Sequence, residues 1–150
     1  MKKTAFTLIE LLVVVTIISL LASIAAISYS QFVRQGRDAR RKTDIEQVRA
    51  AIELYRNFNG VYPTPGMVFG TDSIADSTST YMSKIPNDPM YSATASRSYN
   101  YAYTSASPYQ DYTLCAYIEG GETSVSSTSC GTSSGSPVIC NYCMGPYGQK

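Results

Sequence analysis

The sequence predicts an α+β chain in which one long N-terminal helix lays its second half on a small antiparallel β-sheet, with a disulfide-tied C-terminal loop. Three observations carry that expectation. From Phe6 to Ile27 there are 22 residues without a Lys, Arg or Asp. An apolar stripe of Ile45, Val48, Ile52 and Tyr55 comes next at helical spacings of 3, 4 and 3. After Pro65 the period changes to two, and all four cysteines lie in the last 36 of the 150 residues.

The first quarter of the chain is far more apolar than the rest, so a single soluble core does not describe it. Lys2 and Lys3 precede the apolar run, a strongly charged segment extends from Arg34 to Arg56, and Ser, Thr, Tyr and Gly dominate the remainder. The net charge is +1, and no basic cluster is interleaved with aromatics, so no nucleic-acid partner is indicated.

Between Phe6 and Phe58 only Gly36 opposes a helix, at a cost of about 1 kcal/mol relative to Ala. A helix over those 53 residues would be roughly 80 Å long. Its first half is long and apolar enough to cross a membrane, and its second half is amphipathic, with Ala51 and Phe58 flanking the stripe. Gly60 supplies a left-handed cap, and Pro63 and Pro65 forbid continuation.

Tyr99, Tyr101 and Tyr103 alternate with small polar residues, as Tyr112, Leu114, Ala116 and Ile118 do with theirs after a loop containing Pro108. An antiparallel hairpin is expected, packed on the Ile45 to Phe58 stripe because a sheet this small needs an apolar partner. The tyrosines are expected to be packing residues, half buried with wet hydroxyls. A Ser/Thr/Gly-rich loop over 120–137 leads to a final strand over 138–143.

Cys115, Cys130, Cys140 and Cys143 form an even set in a short Ser/Thr-rich region, which suggests two disulfides and an oxidising compartment. Cys140 and Cys143 also have the CxxC spacing of a metal or redox pair, but a zinc site draws on two close ligand pairs, and Cys115 and Cys130 do not make one. Three connectivities are open. In a strand, Cys140 and Cys143 would point to opposite faces and take different partners, which favours Cys115 with Cys143 and Cys130 with Cys140.

The carboxylate inside the apolar run, Glu10, needs an explanation. A charged side chain at the centre of a spanning helix costs about 2.5–3.5 kcal/mol, somewhat less near the boundary. Cutting the chain before Phe6 would create an α-amino group of pKa about 8, one turn from Glu10. In staggered neighbouring helices each Glu10 could then neutralise the amine of the next subunit.

The stretch KKTAFTLIELLVVVTIISLLASIA resembles the N-terminal signature of type IV pilins and type II secretion pseudopilins: a short basic leader, a small residue, then Phe, Thr, Leu, Ile, Glu and an apolar helix. The segment ARRKTDIEQVRAAIELYRNFNGVYPT and the IPNDP that precedes the tyrosine-rich strands are similar to the corresponding segments of the major pseudopilins. The resemblance implies a pilin-like fold and a homo-oligomeric helical filament. It also implies insertion in the membrane as a precursor, with the C-terminal domain outside and a prepilin peptidase and inner-membrane assembly machinery as partners. By the same resemblance the leader is cut between Ala5 and Phe6, Phe6 is N-methylated, and Glu10 pairs with a neighbour's N-terminus. The implied parts are a leader over 1–5, a transmembrane and filament-core helix over 6–28, an amphipathic continuation over 29–60 and a β head over 61–150.

The sequence departs from that pattern in places. Ala5 stands where the leader normally ends in Gly. The C-terminus reads CNYCMGPYGQK in place of an acidic, glycine-rich calcium loop, leaving Asp88, Asp111 and Glu119 as oxygen donors, and no metal or other cofactor is expected. Arg34, Arg37, Arg40, Arg41 and Lys42 come after the span, against two leader lysines, so a literal positive-inside count opposes an external head. The cysteines outweigh that count, and Asp38, Asp44 and Glu46 are at hand to pair with the basic residues. The alternative is a secreted or membrane-anchored binding domain that does not assemble, released by cleavage after Ser23-Ile24-Ala25, which leaves Glu10 unexplained. Without His, and with no Ser or Cys beside a recognisable base, no catalytic constellation emerges and an enzyme is not expected.

Overall fold

In the computed structural model residues 6–121 and 127–150 are described, with backbone only at 25–28. The expected leader residue Ala5 and the centre of the Ser/Thr-rich loop therefore lie outside the described residues. The chain divides into two compact units between Gly36 and Arg37.

Helix α1 runs over Leu8–Asn59. It ends as the sequence expects: Gly60 takes φ 77° and donates its N–H to the Arg56 carbonyl at 2.7 Å, closing the last turn in a conformation that costs an L side chain. In the first unit every described side chain, 6–24 and 29–36, is exposed.

The second unit has a conventional core. Ile45, Val48 and Ile52 are wholly buried, and they pack on Tyr62, Ile74, Ile85, Tyr101, Tyr112 and Leu114. The partner surface is a four-stranded antiparallel sheet of β4 (Ala102–Ser105), β5 (Tyr112–Ala116), β8 (Tyr142–Gly145) and β9 (Gly148–Gln149), in that order. Tyr103, Leu114 and Met144 are cross-strand partners in one row of the core face, and the next row, Ala102, Cys115 and Cys143, packs with the other two cysteines instead. A second sheet, β3 (Arg97–Tyr99), β6 (Ser129–Ser133) and β7 (Ser136–Ile139), holds Cys130. A two-stranded ribbon, β1 (Ile74–Ala75) with β2 (Thr80–Met82), completes the fold.

The two larger sheets each have their own disulfide. Cys115–Cys143 joins directly opposed residues of β5 and β8, Cα atoms 4.1 Å apart, and Cys130–Cys140 joins β6 to the residue after β7. The four half-cystines form one buried cluster, adding cross-links where the small core alone gives limited stability.

Four expectations are corrected. The tyrosine run is not one strand: Tyr99 belongs to β3 and Tyr103 to β4, with the break at Asn100–Tyr101, where the Asn100 N–H donates to Cys130 O. Residues 138–143 are not one strand either. β7 ends at Ile139, and Asn141 pins the crossing by accepting from Ile118 N (2.7 Å) and donating to Ile118 O (2.9 Å). The core tyrosine hydroxyls are not wet. Tyr101 donates to Asp44 at 2.8 Å, Tyr103 to the Pro63 carbonyl at 2.7 Å and Tyr112 to Glu53 at 3.0 Å, because buried O–H groups need protein acceptors. Phe58, expected beside the buried stripe, is 71% exposed, its ring tilted against Tyr81 with centroids 5.9 Å apart.

Candidate functional site

Two sites carry the chain's unusual chemistry, one in each unit. The first is the start of α1. Thr7 is its N-cap: the Thr7 hydroxyl accepts the Glu10 N–H at 3.3 Å, while one Glu10 carboxylate oxygen accepts both the Thr7 N–H and the Thr7 hydroxyl at 2.8 Å. This reciprocal arrangement is a capping box, which satisfies two of the four free N–H groups that begin any helix. It gives Glu10 a partner inside its own chain, beyond the neighbouring amine expected for it, and Thr7-Leu8-Ile9-Glu10 has the T-x-x-E spacing that signals such a cap.

Behind the cap the helix presents Leu8, Ile9, Leu11, Leu12 and further aliphatic side chains, all exposed. It is the one helix among the described residues long and apolar enough to cross a membrane, and its most apolar window has a mean hydropathy of 2.7 with no part buried. Thr16, Ser19 and Ser23 turn their hydroxyls back onto Val13, Val15 and Ser19 carbonyls at 2.8 Å, so the polar atoms in the run are internally satisfied. Phe6 is exposed, and Ala5 is outside the described residues.

The second site surrounds Arg41, which has no exposed surface. Its Nε and Nη2 donate to the two oxygens of Asp88 at 2.8 and 3.1 Å, and its Nη1 donates to Asp38 at 2.7 Å and Glu119 at 2.9 Å. Arg37 grips Glu119 with two bonds of 2.7 Å. Asp38 in turn accepts the Glu119 and Gly120 N–H groups at 2.9 Å. Two cations therefore hold three carboxylates and stitch the helix to the chain after β5 and to the IPNDP loop. Burial works against the Arg41 charge, but the Asp88 and Glu119 bonds outweigh it and hold the group above its ordinary pKa. The Arg37 bond, opposed by burial and reinforced by Arg41, lowers Glu119 to about 2. Burial raises Asp44 despite the Tyr101 bond, and burial also lifts Tyr103 to about 12.

The oxygen donors considered for calcium are already engaged by cations of the chain. Asp88 and Glu119 are committed to arginines, whereas Asp111 meets Lys150 at 3.1 Å. Among the described residues no three His, Cys, Asp or Glu side chains are grouped to hold a metal. Of the acidic residues expected to pair with the basic run after the span, Asp44 lies 3.8 Å from Arg40 and Asp38 is drawn into the buried cluster, while Glu46 pairs instead with Arg49 at 3.2 Å. The sequence signal for Arg41 was its position, four residues before Ile45 and thus on the buried stripe.

Residues 1–26 match the family described as the prokaryotic N-terminal methylation motif. The motif spans Phe6, the capping box and most of the exposed apolar helix. A curated protein of Vibrio cholerae serotype O1, the type II secretion system core protein G, is 36% identical over 63 residues. That likeness covers 42% of this chain and 43% of the Vibrio protein, less than half of either. No solved structure shows a significant match.

Proposed function

We propose that the protein is a structural subunit of a type IV pilus-like filament of the pseudopilin kind. It enters the membrane as a precursor with its head outside, is cleaved between Ala5 and Phe6, is methylated at Phe6, and assembles by packing the first part of α1 against neighbouring copies. The observation that carries this reading is the methylation motif lying on a helix with every described side chain of 6–24 exposed. Such a surface is stable only in lipid or against other helices. The likeness to the Vibrio core protein supports the secretion-type reading.

Glu10 has two roles in this reading. In the single subunit it caps the helix with Thr7. In the filament the same carboxylate neutralises the α-amino group of the adjacent Phe6, making burial of that cation inexpensive. The two roles separate by substitution, because a capping box accepts Gln as well as Glu. Glu10→Gln is expected to keep the cap and membrane insertion while cutting filament yield, and Glu10→Leu to lose both cap and filaments. Mass spectrometry of the native protein should find N-methylated Phe6 at the terminus. A terminus near Ala26, or abundant filaments from Glu10→Gln, would overturn the assembly mechanism.

A further inference from the structure

The second unit has a groove that neither the helix packing nor the ion network uses. Two adjoining depressions, of about 550 and 250 Å³, share Asn87 and Tyr91 as common wall. The larger alone is within the roughly 300–1,000 Å³ of ordinary ligand sites. Arg40 and Lys84 line it, and the smaller part ends on Phe69, whose ring is set edge-on to Tyr101 at 5.6 Å.

The groove has a definite chemistry. The Arg40 side chain is 65% exposed, and its Nε stands 3.8 Å from Asp44, too far for a hydrogen bond. Lys84 is exposed and has no polar partner among the described residues. The carboxylate in the wall, Asp88, is wholly buried and bound twice by Arg41, so it does not cancel those cations. Asn87 uses its carbonyl oxygen to accept the Asp88 N–H at 3.0 Å, while its NH2 has no acceptor among the described residues. That amide lies against Gly70, φ 88°, where an added Cβ would come within 2.7 Å of Nδ2. Tyr91 is 52% exposed, and its hydroxyl has no partner among the described residues. The lining stretches 67–70, 84–91 and 100–101 all lie outside the strands, so no open edge is offered for an extended peptide to pair with.

We propose that this groove binds a carboxylate-bearing saccharide of the uronic-acid type. The exposed Tyr91 face takes the apolar face of a sugar ring, the Asn87 amide donates to ring hydroxyls, and Arg40 with Lys84 takes the carboxylate. The loop is held in place by Asp88, its buried link to Arg41, so binding requires little ordering.

The test is a titration of the ¹⁵N-labelled full chain in detergent micelles with trigalacturonic acid, following the Asn87 side-chain and Gly70 backbone resonances. Saturable shifts confined to the groove are expected. Affinity should fall about tenfold or more in Tyr91→Ala, in the Arg40→Gln/Lys84→Gln pair, and for the methyl-esterified trisaccharide. Tyr91 and Lys84 are exposed, so Lys84→Gln alone serves should another variant lose its native spectrum. No shift at about 10 mM trisaccharide, unchanged affinity in the variants, or equal binding of a hexaglutamate peptide would overturn the proposal.

Discussion

Ile18 and Ile52 lie on the same helix with the same backbone geometry, yet Ile18 is 60% exposed and Ile52 is wholly buried. Around Ile18 the chain is apolar on all sides. Around Ile52 the apolar residues form one stripe with Arg and Glu on the other faces. A stripe is satisfied by one sheet of its own chain, whereas an all-round apolar surface is not, and needs lipid or other chains. The difference teaches that helix propensity fixes the backbone of both regions and that only the distribution of polarity decides where each finds its partner.

The most severe way to break the second region should be Arg41→Ala. It leaves Asp88, with no exposed side-chain surface, as an uncompensated buried charge, an expected loss of about 3–5 kcal/mol in urea unfolding. The comparison itself is sharpened by making one substitution twice. Ile52→Ala should cost about 2–5 kcal/mol, while Ile18→Ala should leave the unfolding midpoint of the head unchanged. An equal loss at both positions would show that residue 18 is buried within the subunit.

Acid should weaken the head. Glu119 is lowered from 4.5 to about 2 in the folded state, so its stabilising effect is complete above pH 4.5 and disappears as the pH falls from there towards 2. Asp44 is raised by burial and opposes this trend in part. The urea midpoint is therefore expected to drop between pH 5 and 2.5, by less in Glu119→Gln than in the parent. The smallest effect belongs to the helix start. Thr7→Ala removes the cap at a cost of about 1 kcal/mol, seen as faster amide exchange in the first turn of α1 in micelles, with the head unchanged.

The helix and its buried stripe were legible because spacing is a local property: 45, 48 and 52 determine a face without knowledge of anything else. The hairpin of β4 with β5 was legible for the same reason, through Tyr103, Tyr112 and Leu114. Arg41 was not, although it continues that face, because a guanidinium reads as solvated until its partners are known, and Asp88 and Glu119 are 47 and 78 residues away. The tyrosine hydroxyls failed on the same ground, since the acceptor of Tyr103 is a carbonyl 40 residues earlier. Glu10 differs: its partner Thr7 is three residues away, and the apolar setting drew attention outward from a signal that was local.

The position of β8 has a consequence for the order in which the head can be made. This strand, Tyr142–Gly145, lies between β5 and β9, supplies Met144 to the core and carries the cysteine that bridges to Cys115. A chain synthesised only as far as Asn141 has the whole helical stripe and both strands of the β4–β5 hairpin, but an open edge on β5 and an unmatched thiol. The head therefore closes late, after synthesis has passed Gly145, and until then its half-built sheet is a surface to which other unfinished chains can pair. A product truncated before Tyr142 would be distinguished by its exposed β5 edge and free Cys115.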